Sequence, residues 1–301
     1  LKIVREEEKY LDGLIDVALT EDVGVGDVTT AAVVPKGRKG LAEVIARDGG
    51  IIAGLEFTQN LFKKLEKELK IETEFRDGQK IKEGEVVLTI EGELESILRG
   101  ERVALNFLGR LSGIATLTSK FVERIKGTKS KILDTRKTTP GMRLLEKYAV
   151  TVGGGENHRF GLYDMILIKE NHLTASGGIE AALKAARLYV DEYQGQTKGR
   201  HSLKIEVEVK NTEELKEALK FSPDIIMLDN FDVEEIREGV EIARRFEAQE
   251  GRAPKLEVSG GVNLKNVREI AETGVDFISV GALTHSPKTL DFSLLIREVY
   301  E

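Results

Sequence analysis

Residues 131–143 read KILDTRKTTPGMR, and the reading of this stretch decides the fold. Apolar and β-favouring residues lead into Asp134 and Thr135. The cations Arg136 and Lys137, two further hydroxyls and a Pro140-Gly141 break then follow, and a new helical segment starts from the break. This predicts a strand that delivers two cations to its carboxyl end. In parallel α/β architectures that end binds ligands, because loops converge there and helix N-termini point inward. The format repeats downstream: strand-like runs at 131–134, 165–168, 205–209, 224–228, 256–258 and 277–280 alternate with helical patterns at 179–190, 212–220, 233–246 and 264–273. Six strands separated by helices predict a parallel sheet, and at this size a barrel short of the usual eight strands. The polar stretches 191–202 and 247–254 read as surface excursions.

Upstream of residue 131 the alternation is missing. Residues 10–19 have helical spacing and lead into EDVGVGDVTT, which reads as a turn into a strand; 40–52, 71–75 and 85–90 also read as strands. Residues 56–69 form an amphipathic helical pattern, and 94–125 a long helical run that softens near Gly113 and connects two domains. A mixed α/β domain therefore precedes the barrel.

Composition narrows the function. The chain has 301 residues, with 45 Lys and Arg against 52 Asp and Glu, a net charge of −7 that argues against a general nucleic-acid binder. Any anion site must be a local basic cluster. There are no cysteines, which excludes disulfides, thiolate metal sites and thiol nucleophiles, and four histidines make a His-rich metal site a poor fit. No stretch approaches the roughly 20 apolar residues of a membrane span, and the first ten residues lack a signal-peptide core. The expectation is a cytoplasmic protein.

The strand ends carry the chemistry, in order. Arg136 and Lys137 follow the first strand; GGGENHRFGLYD, with His158 and Arg159, precedes the second, which Lys169 ends. Glu206 and Glu208 lie in the third, Asp229 and Asn230 end the fourth, Ser259-Gly260-Gly261 the fifth, and Gly281 to His285 follow the sixth. Singly these have bland readings. Asp229 could be a helix N-cap, SGG a tight turn and His158 a structural histidine. Lys169, directly after MILI, projects from a buried strand and needs a partner or ligand. Glu206 and Glu208 share a strand face because side chains alternate. Together they suit anionic substrates, a phosphate on a glycine-rich loop and a carboxylate-held divalent metal of the Mg²⁺ kind. Arg102, inside the long helix, reads locally as a solvated or paired helical arginine.

The motifs EDVGVGDVTT, ERVALNFLGRLSGIAT, DTRKTTPGMR, GGGENHRFGLYDMILIKENH, IEVEV, IIMLDNF, EVSGGVN and GVDFISVGALTHS, in this order, resemble the quinolinate phosphoribosyltransferase family over nearly the whole chain. The resemblance implies an N-terminal α/β sandwich (1–113, joined by 290–301) and a C-terminal open, TIM-like α/β barrel (114–289). It implies a homodimer or higher homo-oligomer in which Arg102 completes the neighbour's site. By the same resemblance Arg102, Arg136, His158, Arg159 and Lys169 hold quinolinate. Lys137, Glu208 and Asp229 face phosphoribosyl pyrophosphate, Glu208 and Asp229 holding Mg²⁺ directly or through water. Ser259, Gly260, Gly261, Gly281 and His285 cradle the 5′-phosphate, and Lys169, Glu208, Asp229 and Lys137 are the catalytic set. Three other readings were weighed: a molybdenum-transport-associated relative, a non-catalytic ligand-binding protein and a generic phosphate-binding barrel. The first would lack the dicarboxylate-binding arginines, which are all present; the second would have no use for Glu208, Asp229 and Lys169; the third would have no use for Arg136, Arg159 and Lys169.

Overall fold

The computed structural model describes residues 5–196 and 203–300. In chain order the elements begin with α1 (Arg5–Val23), α2 (Val28–Val33), β1 (Lys39–Ala46), β2 (Gly50–Ile51) and α3 (Leu55–Leu65). Next come β3 (Lys70–Glu72), β4 (Lys80–Ile81), β5 (Val86–Glu93), α4 (Leu94–Arg124), β6 (Lys131–Leu133) and α5 (Arg143–Val152). Then β7 (Ile166–Ile168), α6 (Glu170–Ser176), α7 (Ile179–Gln196), β8 (Ile205–Val209), α8 (Thr212–Leu219) and β9 (Ile225–Asp229) follow. The last are α9 (Val233–Glu250), β10 (Lys255–Ser259), α10 (Val267–Glu272), β11 (Phe277–Ser279), α11 (Ala282–His285) and β12 (Phe292–Tyr300).

Two compact units result. The first holds residues 1–117, 139–153 and 287–301; the second holds 118–138 and 154–286. In the first, an antiparallel sheet has the order β12-β1-β5-β3, so the end of the chain forms an edge strand beside β1. Its apolar positions Ala42, Val44, Leu88 and Ile90 are buried. Helices α3 and α4 lock together through the Phe57 and Phe107 rings, 4.8 Å apart, with Gly100 giving Phe62 and Leu65 room to approach.

Three local expectations are corrected here. VTT after Asp27 is helical, because the Asp27 carboxylate caps α2 by accepting from Thr29 N and Thr30 N. That local capping outweighs the β preference of Val and Thr. Helix α3 stops at Leu65, four residues before the expected end, as Glu66 turns extended. Helix α4 runs without a break through Gly113. Gly109 and Gly113 lie one turn apart and face the backbone of Lys288, Thr289 and Leu290, which a Cβ at either position would strike. Those glycines serve close backbone approach, not flexibility.

The second unit contains six parallel strands in the order β6-β11-β10-β9-β8-β7. In sequence rank this is 1-6-5-4-3-2, the circular order of an α/β barrel left open between its first and second strands. At the gap, Glu156 forms a parallel bridge with Leu133. Strands covered on both faces are largely apolar, as β7 and β9 are: Ile205, Val207 and Val209 of β8 and Ile226 and Leu228 of β9 are buried, as are Leu215 of α8 and Ile236 of α9. The expected strands lie within one or two residues of these. The two excursions shrink, since α7 continues to Gln196 and α9 to Glu250; residues 197–202 lie outside the described residues. Helix α9 starts from a reciprocal cap, with the Asp232 side chain accepting from Glu235 N and the Glu235 side chain from Asp232 N.

Replacing Gly113 with Ala should force the segment 288–290 off α4 and cost about 1–3 kcal/mol in urea unfolding. Gly127→Ala, at φ +86 with nothing nearby, should cost about 1 kcal/mol from backbone strain alone.

Candidate active site

All six strand ends of the second unit carry polar side chains, and those of five border one cavity of about 700 Å³. Arg136 and Lys137 come from the loop after β6, His158 and Arg159 from the segment before β7, and Lys169 from the end of β7. Asp229 ends β9; Ser259, Gly260 and Gly261 form the turn after β10; Gly281 and His285 flank α11. These eleven residues line the same hollow. Glu208 does not line it but reaches it through Lys169, whose Nζ lies 2.5 Å from Glu208 Oε2. Arg102 is exposed on α4 of the first unit and is not among the lining residues.

The turn after β10 shows why glycine stands there. Gly260 has φ +96, and a Cβ on it would collide with the Asn230 side-chain amide. Asn230 is itself left-handed at φ 57, with its N–H donating to Ser259 O and its amide donating to Asp229 Oδ2. The two strand ends are therefore interlocked. Lys137 is anchored similarly, its carbonyl accepting from Thr284 Oγ1 at 2.8 Å.

Charge is uneven around the cavity. The Arg136 guanidinium has a buried Nε without a hydrogen-bond partner. Burial, then the neighbouring Arg136, lowers the Arg159 pKa from its ordinary value. Cations crowd this wall with too few anions to balance them. Opposite, burial and then repulsion from Glu208 raise the Asp229 carboxyl, against its bond from Asn230 and the attraction of Lys169 and Lys137. Asp229 at the cavity and Glu208 behind Lys169, two carboxylates with residual mutual repulsion, are a suitable oxygen-donor set for a hard divalent cation.

Beneath the cavity lies a group that sequence reasoning underrated. Glu206 of β8 and Glu257 of β10 have no exposure to solvent, and their oxygens approach His158 Nε2 at 3.0 and 3.5 Å. The family resemblance gives a role to Glu208 and none to Glu206, and no motif singles out Glu257. Its signal was a lone carboxylate within KLEVS, on the same face as Ser259 by strand alternation. His158, Glu206 and Glu257 offer three possible metal ligands within 4.8 Å. The ring geometry speaks against a metal there: Nδ1 accepts Arg159 N–H at 2.8 Å, which places the imidazole proton on Nε2 and occupies the remaining lone pair. Burial opposes a charged ring while the Glu206 and Glu257 carboxylates favour one; with Nδ1 held as an acceptor by Arg159 N–H, the ring keeps a single proton, on Nε2 between the two carboxylates. Burial and the neighbouring Glu257 raise the Glu206 carboxyl above its ordinary value.

The fold and cavity are those of an open α/β barrel with a cation-rich site at its strand ends. Residues 27–112 match the N-terminal domain and residues 114–295 the C-terminal domain of quinolinate phosphoribosyl transferase. A probable carboxylating nicotinate-nucleotide pyrophosphorylase of Methanocaldococcus jannaschii is 43% identical over 95% of this chain and 96% of its own. A decarboxylating quinolinate phosphoribosyltransferase of Nicotiana tabacum is 42% identical, covering 95% of this chain and 82% of its own. The solved nicotinate-nucleotide pyrophosphorylase of Francisella tularensis superposes with a TM-score of 0.87 at 40% identity, covering 96% of each chain. The chain belongs to the quinolinate phosphoribosyltransferase family.

Gly260→Ala should displace Asn230 and cost on the order of 2–3 kcal/mol of stability. Gly261→Ala, at φ +63 with open space around it, should cost only about 1 kcal/mol. Thermal unfolding of the two variants checks the order.

Proposed function

We propose that this chain transfers the phosphoribosyl group of phosphoribosyl pyrophosphate to the ring nitrogen of quinolinate with loss of CO₂, giving nicotinate mononucleotide and pyrophosphate for NAD biosynthesis. The observation that carries this reading is the single cavity in which Arg136, Lys137, Arg159 and Lys169 meet Asp229 and the Ser259-Gly260-Gly261 turn, in a chain of that family. A pyridine dicarboxylate and a pyrophosphate ester together need such a concentration of cations before they can approach each other.

Arg136, His158, Arg159 and Lys169 would surround the dicarboxylate, and the unpartnered Arg136 Nε supports a carboxylate partner there. The glycine turn, Gly281 and His285 would take the 5′-phosphate through backbone N–H groups and the imidazole. Lys137, next to Gly281, would face the pyrophosphate. Nitrogen attacks C1 as the C1–O bond to pyrophosphate breaks, and positive charge grows on the ribose. Glu208 and Asp229 would stabilise that charge. Once alkylated, the ring nitrogen is an electron sink. The bond to the 2-carboxylate then breaks, CO₂ leaves, and the ring carbon takes up a proton.

Glu208 and Asp229 are also the groups that would hold Mg²⁺, directly or through water; when bound, the ion neutralises charge on the leaving pyrophosphate. Lys169 stands between these roles, since it now pairs with Glu208. Arg102, exposed on α4, would complete the site of a second copy in a homodimer or larger homo-oligomer. Among the described residues no helix is long and apolar enough to cross a membrane, which agrees with a cytoplasmic setting.

Pyrophosphate and CO₂ followed together should appear in equal amounts from quinolinate, phosphoribosyl pyrophosphate and Mg²⁺, with neither from nicotinate, and chelating the metal should stop both. Release from nicotinate alone would reject the assignment of substrate. By calorimetry, Arg136→Ala should weaken quinolinate binding at least about tenfold, some 1.4 kcal/mol, with little change for phosphoribosyl pyrophosphate. Mixing Arg102→Ala subunits with subunits inactivated by Lys169→Ala should recover part of the activity. Confirmed mixed dimers without recovery would remove Arg102 from a shared site.

A further inference from the structure

Buried carboxylates are costly unless something holds them, and Glu206 and Glu257 lie too deep to touch the cavity's contents. Neither lines the cavity, and neither is exposed. What they do touch is His158. Glu206 Oε2 stands 3.0 Å and Glu257 Oε1 3.5 Å from Nε2, and Ser279 Oγ donates to that same Glu257 oxygen at 2.5 Å. Across the ring, Nδ1 accepts the backbone N–H of Arg159, while the backbone N–H of His158 donates to Asp134 Oδ1 at 2.9 Å. With both ring nitrogens engaged, the imidazole is a strut between the barrel interior and the Arg159 main chain. It is also only 7% exposed, so it meets the cavity with a ring edge.

Arg159 carries the consequence. Its guanidinium reaches the cavity wall beside Arg136 and donates from Nη1 to Met165 O at 3.2 Å. Two neighbouring guanidiniums repel, while Glu206 beneath and, more weakly, the exposed Asp164 attract Arg159. We propose that Glu257, fixed by Ser279, acts with Glu206 as a positioning pair that sets the His158 ring and, through it, the placement of Arg159 for an anionic ring substrate. The proposal rests on the reading that quinolinate occupies this cavity. It differs from a purely structural role because it predicts damage to one half of the site only. The hydrogen bonds that fix Lys137, Asp229 and the glycine turn run instead to Thr284 and Asn230.

Two measurements on the whole protein test it. In calorimetry, Glu257→Ala should weaken quinolinate binding about tenfold and leave phosphoribosyl pyrophosphate within about twofold. Glu257→Gln, whose amide oxygen still accepts from Ser279, should recover most of the loss. In ¹⁵N spectra of the histidines, of which there are four, His158 should show a protonated Nε2 and a hydrogen-bonded, unprotonated Nδ1. That signature should be lost in Glu257→Ala and kept in Glu257→Gln. Equal loss of both ligands, or a lowered melting temperature with quinolinate affinity unchanged, would overturn the proposal. Should the unaltered protein bind no quinolinate, the substrate reading fails. The spectra still decide the positioning claim, and an unmoved His158 signature in Glu257→Ala rejects it.

Discussion

Placing carboxylates inside a barrel obliges the fold to bring cations to them. An unpaired charge away from water is among the costliest features a small core can contain, and here two strands, β8 and β10, each contribute one from their inner face. Neighbouring strands offer these carboxylates little: Leu167 and Ile225 stand in register with Glu206, Met227 and Phe277 with Glu257, and the one donor is the Ser279 hydroxyl of β11 to Glu257. The partner must come from the segment that crosses the barrel's opening. That segment, residues 154–165, delivers His158 inward and Arg159 to the rim, and its path is secured by the Glu156 bridge to Leu133 and the Asp134 bond to His158 N. The open seam between β6 and β7 is therefore the passage through which the interior charge is neutralised and the cavity gains a cation.

How far the sequence could be read follows from how local each signal is. The strands of the barrel were legible because a parallel strand covered on both faces is a largely apolar run, which MILI and IIML are throughout, while the β-branched residues of IEVEV mark a strand despite its two glutamates. Most of the cavity-lining residues were legible because they follow such runs directly. What escaped depends on partners elsewhere in the chain. The helical state of VTT depends on one Asp27 carboxylate competing successfully against β-branched propensity. The continuity of α4 through Gly113 becomes clear only when residues 288–290, 175 positions later, are seen against it. Glu257 looked like an ordinary strand residue because nothing in KLEVS indicates that its side chain points at a histidine a hundred residues earlier. Arg102 has no local signature at all; its expected role comes from family resemblance, and a single chain offers it only an exposed position on a helix.

The cavity's electrostatics have a further consequence for how two charged ligands could share it. Within the site Lys169 is taken up by Glu208, Asn230 by Asp229, and Arg159 is drawn toward Glu206. Arg136, by contrast, keeps a buried Nε without a hydrogen-bond partner. An incoming carboxylate can claim Arg136 at little cost, because no existing contact is broken. Claiming Lys169 is different, since the Glu208 ion pair must open first, and opening it strands a carboxylate that is only 11% exposed. That cost falls when Glu208 acquires another cationic partner, whether a divalent ion or the positive charge growing on a ribose carbon. On the proposed reading of the site, a ligand that engages Glu208 makes Lys169 available to the other ligand, and reciprocity requires the converse. Coupling of this kind needs no moving domain. It follows from one lysine and one glutamate on adjacent parallel strands, close enough to pair with each other and placed so that each is better satisfied by a different half of the reaction.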